Sequence, residues 1–260
     1  MQESRQHVSR KEKLVLVTGG GRGIGSKVVE TLAAAGYDVA FSYRSAASTA
    51  EELRTTLVQQ FPSQTFIALR ADLANSDEVE ALAEEMANWP NLYGFVHNSG
   101  APYDKLAAMI DQPRAEQIMQ VNFWSMTRLA AASLRPMMRS RAGRIVGIGS
   151  IVARQGAQGN ASYAATKGAM ASYMKSLAVE VARKGVTANV IAPGYVDTEM
   201  LAAYEGNREL IEKQIPCGRF ARPDEIAGLV RYLLAPEAAY ITGAELTIYG
   251  GLSASVGIKN

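Results

Sequence analysis

Short apolar runs rich in β-branched residues alternate with longer segments of helical periodicity along most of this chain. The apolar runs predict strands at 14–18, 39–43, 65–70, 95–98, 144–149, 187–192 and 246–249. The longer segments predict helices at 25–35, 50–60, 76–88, 114–139, 162–183 and 224–234. This alternation is typical of a doubly wound parallel sheet with helices on both faces and right-handed crossovers. We therefore expect the α/β class, with a single sheet of about seven strands.

Two stretches depart from this alternation. Residues 1–13 are polar and rich in Arg, Lys, Gln and Ser, which predicts a flexible N-terminal tail before a single domain at 14–260. Residues 197–216 are the least regular and follow the carboxyl end of a strand, where open α/β sheets bind ligands. This second stretch is either a mobile lid or a pair of surface helices. Within the regular part, Ser76 is expected to cap a helix, with Glu78 and Glu80 near its positive end.

Composition and charge exclude several classes of function. The 260 residues are 48% hydrophobic and 20% charged, with 27 basic and 25 acidic residues and a net charge of +2. This balance gives no reason to expect a nucleic-acid or membrane partner. No stretch reaches the ~20 apolar residues of a membrane helix. One cysteine, Cys217, and two separated histidines predict no internal disulfide and no metal site, which fits a reducing cytoplasm.

A glycine-rich stretch, Thr18-Gly-Gly-Gly-Arg-Gly-Ile-Gly25, separates the first predicted strand from the first helix. Glycines here let the backbone turn tightly and approach a pyrophosphate, which the positive end of the helix stabilises. Flexible turns also use glycine, but the position between a strand and a helix in the first βαβ unit indicates a dinucleotide. The sequence therefore predicts a dinucleotide site that includes Gly19, Gly21, Gly23 and Ile24.

The end of the second strand indicates which dinucleotide binds. An acidic residue there would bond the ribose 2′-hydroxyl of NAD, whereas this chain has Phe41-Ser-Tyr-Arg-Ser45. Arg44 is placed to meet a 2′-phosphate, and Arg22 supplies a second guanidinium. Both arginines could instead be solvated surface charges. Their two positions together favour NADP(H), with Tyr43 as a further contact.

Tyr163 and Lys167 lie four residues apart in a predicted helix, and Ser150 follows the strand before it. At that spacing the phenol and the amine leave the same face of the helix. An ammonium beside a phenol should lower the phenol pKa from its reference value of about 10. Such a tyrosine can exchange a proton while a hydride moves elsewhere. Because a tyrosine and a lysine four apart also occur by chance on ordinary helices, the other motifs decide the question.

Together these motifs resemble the short-chain dehydrogenase/reductase family, in its classical subgroup, over residues 13–252. The matching positions are Gly19-x-x-x-Gly23-x-Gly25, Ala71-Asp72-Leu73, Asn98-Ser99-Gly100, Asn122, Ser150, Tyr163 with Lys167, and Pro193-Gly194 with Thr198. The resemblance implies a Rossmann fold and a catalytic group of Asn122, Ser150, Tyr163 and Lys167. It also implies further cofactor contacts at Asp72, Leu73, Asn98, Ser99, Gly100, Tyr163, Lys167, Pro193, Gly194, Val196 and Thr198.

Within the family the nearest likeness is to bacterial β-ketoacyl-acyl-carrier-protein reductases, through Gly143–Val146, Ala192–Met200 and Tyr240–Gly243. This likeness implies NADPH-dependent reduction of a 3-oxoacyl group on acyl carrier protein by a cytoplasmic homotetramer. Arg141 and Lys184 match the basic residues that dock the acidic carrier near the active-site mouth. Both could equally be solvated charges at helix ends.

The resemblance also implies a role for each member of the catalytic group. Tyr163 would protonate the forming alkoxide, and Ser150 would polarise the ketone. Lys167 would hold the nicotinamide ribose and lower the tyrosine pKa. Asn122 would hold a water that connects Lys167 with solvent.

Two positions depart from the family pattern and leave the catalytic group complete. His97 stands where the family has a first asparagine, and we interpret it as a packed residue at the end of a strand. Gly149 stands where a second serine is common. Two alternative functions remain open: reduction of another ketone such as a sugar, steroid or xenobiotic, and a non-catalytic NADP-binding sensor.

Overall fold

Seven parallel strands form one sheet in the computed structural model, which describes residues 13–252. The strands are β1 (Leu14–Val17), β2 (Asp38–Tyr43), β3 (Phe66–Arg70), β4 (Leu92–His97), β5 (Gly143–Ile148), β6 (Val186–Pro193) and β7 (Glu245–Ile248). Their order is β3-β2-β1-β4-β5-β6-β7, and each neighbouring pair is parallel. The predicted sheet is therefore confirmed. Residues 1–12 of the predicted tail lie outside the described residues.

Helices cover both faces of the sheet, as predicted. They are α1 (Gly23–Ala34), α2 (Ala47–Gln60), α3 (Ser76–Ala87), α4 (Gln112–Met119), α5 (Ser125–Ser140), α6 (Ala161–Val181), α7 (Arg208–Glu212) and α8 (Pro223–Leu234). One core lies under α3, α5 and α6, and the other lies under α1, α2 and α8. No helix among residues 13–252 has the length and apolar character needed to cross a membrane.

The central strand β1 shows why its sequence is a continuous apolar run. Successive side chains of a strand point to opposite faces. Leu14 and Leu16 accordingly face the core under α3, α5 and α6, whereas Val15 and Val17 face the core under α1 and α8. A parallel strand that is covered on both faces cannot alternate apolar and polar residues.

The strand order reverses direction at β1 and β4, and this reversal locates the binding crevice. The chain first builds β1, β2 and β3 towards one edge and then returns to place β4 beside β1. Connections on the two sides of this point leave in opposite directions, so a crevice opens at the carboxyl ends of these strands. The glycine-rich stretch after β1 and the Asn98 segment after β4 both lie there.

The helix predicted at 114–139 differs from the structure at its middle. It is divided into α4, a π-turn at Gln120–Trp124, and α5. A π-turn adds one residue to a single turn of a helix and has no residue motif of its own, so the sequence gives little sign of it. The turn carries Asn122, which is fully buried and points towards the crevice side of α6 through its bond to Thr166.

The expected cap of α3 is wrong by one residue. Asn75, not Ser76, precedes the helix, and its side chain accepts hydrogen bonds from the backbone N–H groups of Asp77 and Glu78. Asparagine caps as well as serine does, and Ser76 takes the first helical position. Glu78 lies in the first turn as expected, whereas Glu80 pairs with Arg128 of α5.

The irregular stretch after β6 forms two short helices. A 3₁₀ helix at Glu199–Asn207 leads into α7. Arg208 donates to both carboxylate oxygens of Asp197 at 3.1 and 3.0 Å and to Glu212 at 3.0 Å. The Arg208 guanidinium holds the pKa of Asp197 below its usual value. The form of this stretch agrees with the second alternative, a pair of surface helices, and its motion stays untested.

Candidate active site

The glycine-rich stretch forms a tight turn between β1 and α1, the glycine loop (Thr18–Gly25). Gly19 and Gly23 have positive φ values of 65° and 56°, which residues with a side chain rarely adopt. A Cβ atom on Gly20 would lie 2.5 Å from the Cβ of Phe41, and one on Gly25 would lie 2.0 Å from the carbonyl oxygen of Gly19. The backbone can follow this path only without side chains.

The N-terminus of α1 has the character of an anion site. Arg22 precedes the helix and makes no side-chain cap, and no acidic residue lies in the first turn. The first amide groups of such a helix have no intrahelical acceptor and carry partial positive charge. Together with the side-chain-free loop, they fit the pyrophosphate of a dinucleotide.

Residues after β4 hold the glycine loop in place. The Asn98 side chain donates from Nδ2 to the carbonyl oxygens of Thr18 and Gly19, at 3.1 Å each. The Thr18 hydroxyl accepts from the backbone N–H groups of Asn98 and Ser99, also at 3.1 Å. These contacts give Asn98 and Ser99 a structural role beside the cofactor role that the sequence predicts for them.

The predicted adenosine end of the site lies at the carboxyl ends of β2 and β3. Tyr43 ends β2, and Arg44 follows it as an exposed side chain, for which no ion pair is found within residues 13–252. Arg22 is also exposed, and it pairs with Glu199 of the stretch after β6 at 3.1 Å. Asp72 accepts from the N–H of Ala74 with one carboxylate oxygen.

The remaining predicted cofactor residues lie along the end of β6. Gly194 packs so closely on Tyr249 that a Cβ atom would lie 2.6 Å from the Cβ of that tyrosine. The Thr198 hydroxyl donates to the Val196 carbonyl at 3.3 Å. A Cβ on Gly23 would lie 3.5 Å from the Thr198 methyl group, so this segment faces the glycine loop across the crevice.

Tyr163 and Ser150 meet at the carboxyl end of β5. Ser150 follows the strand and accepts from the N–H of Val152 at 3.4 Å. Its hydroxyl also lies close enough to the Tyr163 phenol to lower the pKa of that phenol. Tyr163 lies in the first turn of α6 and is half-buried, so the two hydroxyl groups present one polar corner to the crevice.

Lys167 lies one turn further along α6 and is almost completely buried. Its Nζ donates to the carbonyl oxygen of Ile148 at 2.7 Å and lies 5.7 Å from the centre of the Tyr163 ring. A Cβ atom on Gly100 would lie 3.5 Å from this Nζ and 3.7 Å from Oδ1 of Asn122. Gly100 therefore brings the backbone after β4 close to the amine and the amide together.

The Asn122 side chain links three segments of the site. Its Oδ1 accepts from the N–H of Ala101 at 2.7 Å, and its Nδ2 donates to the Ala101 carbonyl at 3.1 Å. Nδ2 also donates to the Thr166 hydroxyl at 3.0 Å. Because Thr166 precedes Lys167 on α6, the π-turn, the loop after β4 and α6 share one buried hydrogen-bond network.

The expected lowering of the Tyr163 pKa does not occur in this structure. Burial, with a smaller contribution from the Asp104 carboxylate, raises the pKa of Tyr163 to about 12, although the Ser150 hydroxyl opposes the rise. Burial lowers the pKa of Lys167 to about 8. The spacing of four residues is present, but Nζ points to Ile148 and burial dominates. The phenol is therefore protonated throughout the neutral range.

Two residues of this site were not predicted from the sequence. Thr166 bridges Asn122 to α6, and its position three residues after Tyr163 on the same helix was the available signal. Asp104 acts on Tyr163 from the loop after β4, and Asn160 donates to its Oδ1 at 3.0 Å. No local pattern indicates Asp104, because only the fold brings that loop to α6.

Arg141 and Lys184 lie at the opposite end of the sheet from the crevice, where β5 and β6 begin. Arg141 follows α5 with a φ of 52°, and Lys184 ends the 3₁₀ turn after α6. Both precede the amino ends of β5 and β6, where the backbone N–H of Gly143 bonds the Gly185 carbonyl. Tyr163 is in the first turn of α6, and Lys184 follows the end of this 21-residue helix. At the rise of an α-helix, the two residues are about 30 Å apart. The expectation that both flank the active-site mouth therefore fails within one chain.

Acidic and cysteine or histidine side chains do not gather into a metal site. Within residues 13–252, no three such side chains lie close enough together to hold an ion. Cys217 is free and exposed. The chemistry available in the crevice is therefore that of hydroxyl, phenol, amine and amide groups around a dinucleotide cradle.

Comparison with known proteins gives a consistent likeness. Residues 19–253 match a family described as enoyl-(acyl carrier protein) reductase. The 3-oxoacyl-(acyl-carrier-protein) reductases FabG of Escherichia coli K12 and Vibrio cholerae serotype O1 are 37% and 36% identical over 242 residues. Each alignment covers 92% of this chain and 97% of the relative.

Solved structures agree with the sequence relatives. A short-chain dehydrogenase/reductase from Serratia marcescens has a TM-score of 0.86 and 31% identity, over 94% of this chain and 99% of that chain. A variant of the actinorhodin polyketide ketoreductase, solved with NADPH, has a TM-score of 0.87 and 27% identity. That likeness covers 95% of this chain and all of the other.

The glycine loop gives the first testable prediction. Gly25→Ala places a Cβ 2.0 Å from the Gly19 carbonyl and 2.6 Å from Nδ2 of Asn98, so the loop must shift. We expect NADPH affinity, measured by fluorescence titration, to fall by about tenfold or more, as for a loss of 1.4 kcal/mol. Gly228→Ala in α8, with open space around its Cβ, is the matched control and should bind NADPH as the unmodified protein does. Equal affinity in both variants would contradict the assignment of the loop.

Proposed function

Because this chain belongs to the short-chain dehydrogenase/reductase family, we propose that it is an NADPH-dependent ketoreductase. Its proposed substrate is a 3-oxoacyl group on acyl carrier protein, which it reduces to the 3-hydroxyacyl form. The observation that carries the proposal is the convergence of Ser150, Tyr163, Lys167 and Asn122 beside the glycine loop, at the carboxyl ends of neighbouring strands. Relatives that share at least 36% of the sequence over nearly the whole chain carry the name of that activity.

In this proposal the cofactor supplies the hydride, and the residues of the chain supply position and a proton. The Ser150 hydroxyl donates to the ketone oxygen, where negative charge develops. Tyr163 gives its proton to that oxygen as the alcohol forms. A phenol with a pKa near 12 is protonated at neutral pH, so it holds the proton that it will donate before each turnover begins. The alkoxide formed is basic enough to take it.

Lys167 and Asn122 restore the proton in the proposed mechanism. Burial lowers the pKa of Lys167 to about 8, so its ammonium form releases a proton more readily than an exposed lysine does. Its Nζ is within 2.7 Å of the Ile148 carbonyl, which fixes its direction. Oδ1 of Asn122 and Nζ of Lys167 both lie on the side of Gly100 where a Cβ atom would be, and by family likeness Asn122 positions a water that leads to solvent.

The preference for NADPH rests on the charges at the end of β2. Arg44 is an exposed cation there, and no acidic residue occupies the strand end where NAD-binding proteins place one. Arg22 lies across the loop from it. A guanidinium forms paired hydrogen bonds with phosphate, which a ribose hydroxyl cannot match.

Two features favour a 3-oxoacyl substrate over an enoyl one or a small polar ketone. The hydroxyl groups of Ser150 and Tyr163 lie close to each other, so one carbonyl oxygen can approach both, which suits reduction of a carbonyl group. Large apolar side chains, Leu106, Met109 and Met200, are exposed on the segments after β4 and β6. They offer apolar contact to an acyl chain rather than hydrogen bonds to a sugar.

Docking of the carrier at Arg141 and Lys184 is part of the proposal only for an assembled enzyme. These residues are about 30 Å from Tyr163 of their own chain by the length of α6. In the proposed cytoplasmic homotetramer, a carrier docked there serves the site of a neighbouring subunit. Arg183 lies beside these two residues, and its carbonyl accepts a hydrogen bond from the Arg141 side chain at 3.2 Å.

Replacing the proposed proton donor tests the mechanism. Tyr163→Phe should reduce turnover of an acetoacetyl thioester about 100- to 10,000-fold, the usual contribution of general acid catalysis. Its NADPH affinity should stay within about twofold, since the ring remains. Tyr173→Phe, which removes a second half-buried phenol of α6, is the matched control and should keep full turnover. Rapid NADPH oxidation with a crotonyl thioester by the unmodified protein would instead indicate an enoyl reductase.

Cofactor choice can be tested at Arg44. Arg44→Ser should weaken NADPH binding about 10- to 100-fold, the loss expected for charge-assisted bonds to a phosphate. NADH binding should be unchanged, because NADH has no 2′-phosphate. Arg231→Ser, at an exposed position of α8, is the control and should bind both cofactors as the unmodified protein does. Equal weakening of both cofactors by Arg44→Ser would show that Arg44 does not select between them.

The docking proposal predicts a substrate-dependent effect. Reversing both charges, in Arg141→Glu with Lys184→Glu, should raise KM for carrier-bound substrate by about tenfold, as for contacts of a charged interface. KM for a short free thioester should not change, and size-exclusion chromatography must show the same assembly as the unmodified protein. An unchanged KM for the carrier-bound substrate would contradict docking at these residues.

A further inference from the structure

His97, the last residue of β4, is a fully buried histidine between the glycine loop and the π-turn. Burial lowers its pKa to about 3, and the charge of Lys167 acts in the same direction. The ring is therefore neutral in the whole neutral range. A neutral imidazole has one nitrogen that donates and one that accepts, so its surroundings decide which is which.

The hydrogen bonds of Thr18 determine the tautomer. A threonine hydroxyl has one hydrogen and two lone pairs. Both lone pairs are taken by the backbone N–H groups of Asn98 and Ser99. The hydroxyl hydrogen is left for Nδ1 of His97, which is 3.3 Å away. Since Nδ1 accepts, the ring hydrogen is on Nε2.

The Nε2–H group lies on the side of the π-turn. It is buried and has no hydrogen-bond partner within residues 13–252, which is costly for a donor. The backbone carbonyls of Asn122 and Val121 lie near enough to the ring to favour its protonated form. The Ser125 hydroxyl already bonds the Val121 carbonyl at 2.8 Å. Of these two carbonyls, that of Asn122 has the larger effect on the ring, so it is the acceptor nearest to hand for Nε2–H, although the pair does not meet the geometry of a normal hydrogen bond.

We propose that His97 is a positioning residue that fixes the cofactor loop and the proton-relay segment relative to each other. Nδ1 orients the Thr18 hydroxyl and with it the glycine loop, while Nε2–H attracts the backbone carbonyl of Asn122 and so favours the observed position of the π-turn. The inference rests on the function proposed above, because it assigns the two contacts to cofactor binding and to turnover. If His97 merely filled the core, its substitution would change NADPH affinity and kcat together.

The tautomer can be tested without cofactor or substrate. Proteins labelled with ¹⁵N at histidine should show one ring with an unprotonated Nδ1, a protonated Nε2 and no titration between about pH 5 and 8. The chain has two histidines, so the His97 signals are those lost in His97→Asn. A protonated Nδ1, or a normal titration of His97, would overturn the proposal.

Three substitutions separate the two contacts. The asparagine amide ends near the position of Nδ1 and the glutamine amide near that of Nε2, so each can restore one contact. His97→Asn should keep NADPH affinity within about twofold and lower kcat about 5- to 10-fold, the scale of one buried hydrogen bond. His97→Gln should show the reverse, with kcat nearly kept and NADPH affinity lowered about 5- to 10-fold. His97→Leu should lose both.

Thermal unfolding of each variant is the control for folding. A packing role predicts that affinity and kcat fall together and follow the order of thermal stability, and that outcome overturns the proposal. The proposal is supported if His97→Asn has the higher NADPH affinity and His97→Gln the higher kcat. If the unmodified protein neither binds NADPH nor reduces the thioester, the proposed function fails, while the tautomer measurement still decides the geometry around His97.

Discussion

The rest of the site depends on a set of hydrogen bonds between the segment that follows β1 and the segment that follows β4. Thr18 accepts two backbone N–H groups from the segment after β4, and Asn98 returns two bonds to the glycine loop. The two strands are parallel neighbours at the reversal of strand order, so their ends meet by topology. Ala101, three residues beyond Asn98, pairs with the side chain of Asn122. The glycine loop and the residues proposed for proton transfer are thus built from one junction.

Burial sets the protonation states around that junction. It raises the pKa of Tyr163 and lowers those of Lys167 and His97. In each case the low polarity of the surroundings disfavours the charged form. A neutral phenol suits the direction of ketone reduction, since the proton is needed when the alkoxide forms. The lysine retains one strong contact, to the Ile148 carbonyl, which compensates part of the cost of burying an amine.

The sequence predicted the fold because its strongest signals are local. The β1 run is apolar at every position since both of its faces are covered, and the glycine loop needs residues without Cβ atoms. What it missed depends on contacts between distant segments. The π-turn adds one residue within the predicted helix, so Asn122 has an orientation that a continuous α-helix would not give it. The four-residue spacing placed Lys167 beside Tyr163 but could not show that Nζ turns towards Ile148. The remote position of Arg141, in contrast, could have been predicted, because a residue directly before β5 lies at the amino end of that strand, opposite the crevice.

The pairing of Arg22 with Glu199 is compatible with a role for Arg22 in phosphate binding, although the two assignments compete for one guanidinium. The pair is 3.1 Å long, and its side chains are 71% and 78% exposed. Exposed ion pairs contribute only about 0–1 kcal/mol, whereas paired, charge-assisted bonds from arginine to a phosphate contribute more. In the proposed complex with NADPH, the 2′-phosphate can therefore displace the carboxylate at small cost. Since Glu199 begins the 3₁₀ helix after β6, such an exchange changes the contact between this segment and the glycine loop, while Arg208 continues to fix the segment through Asp197.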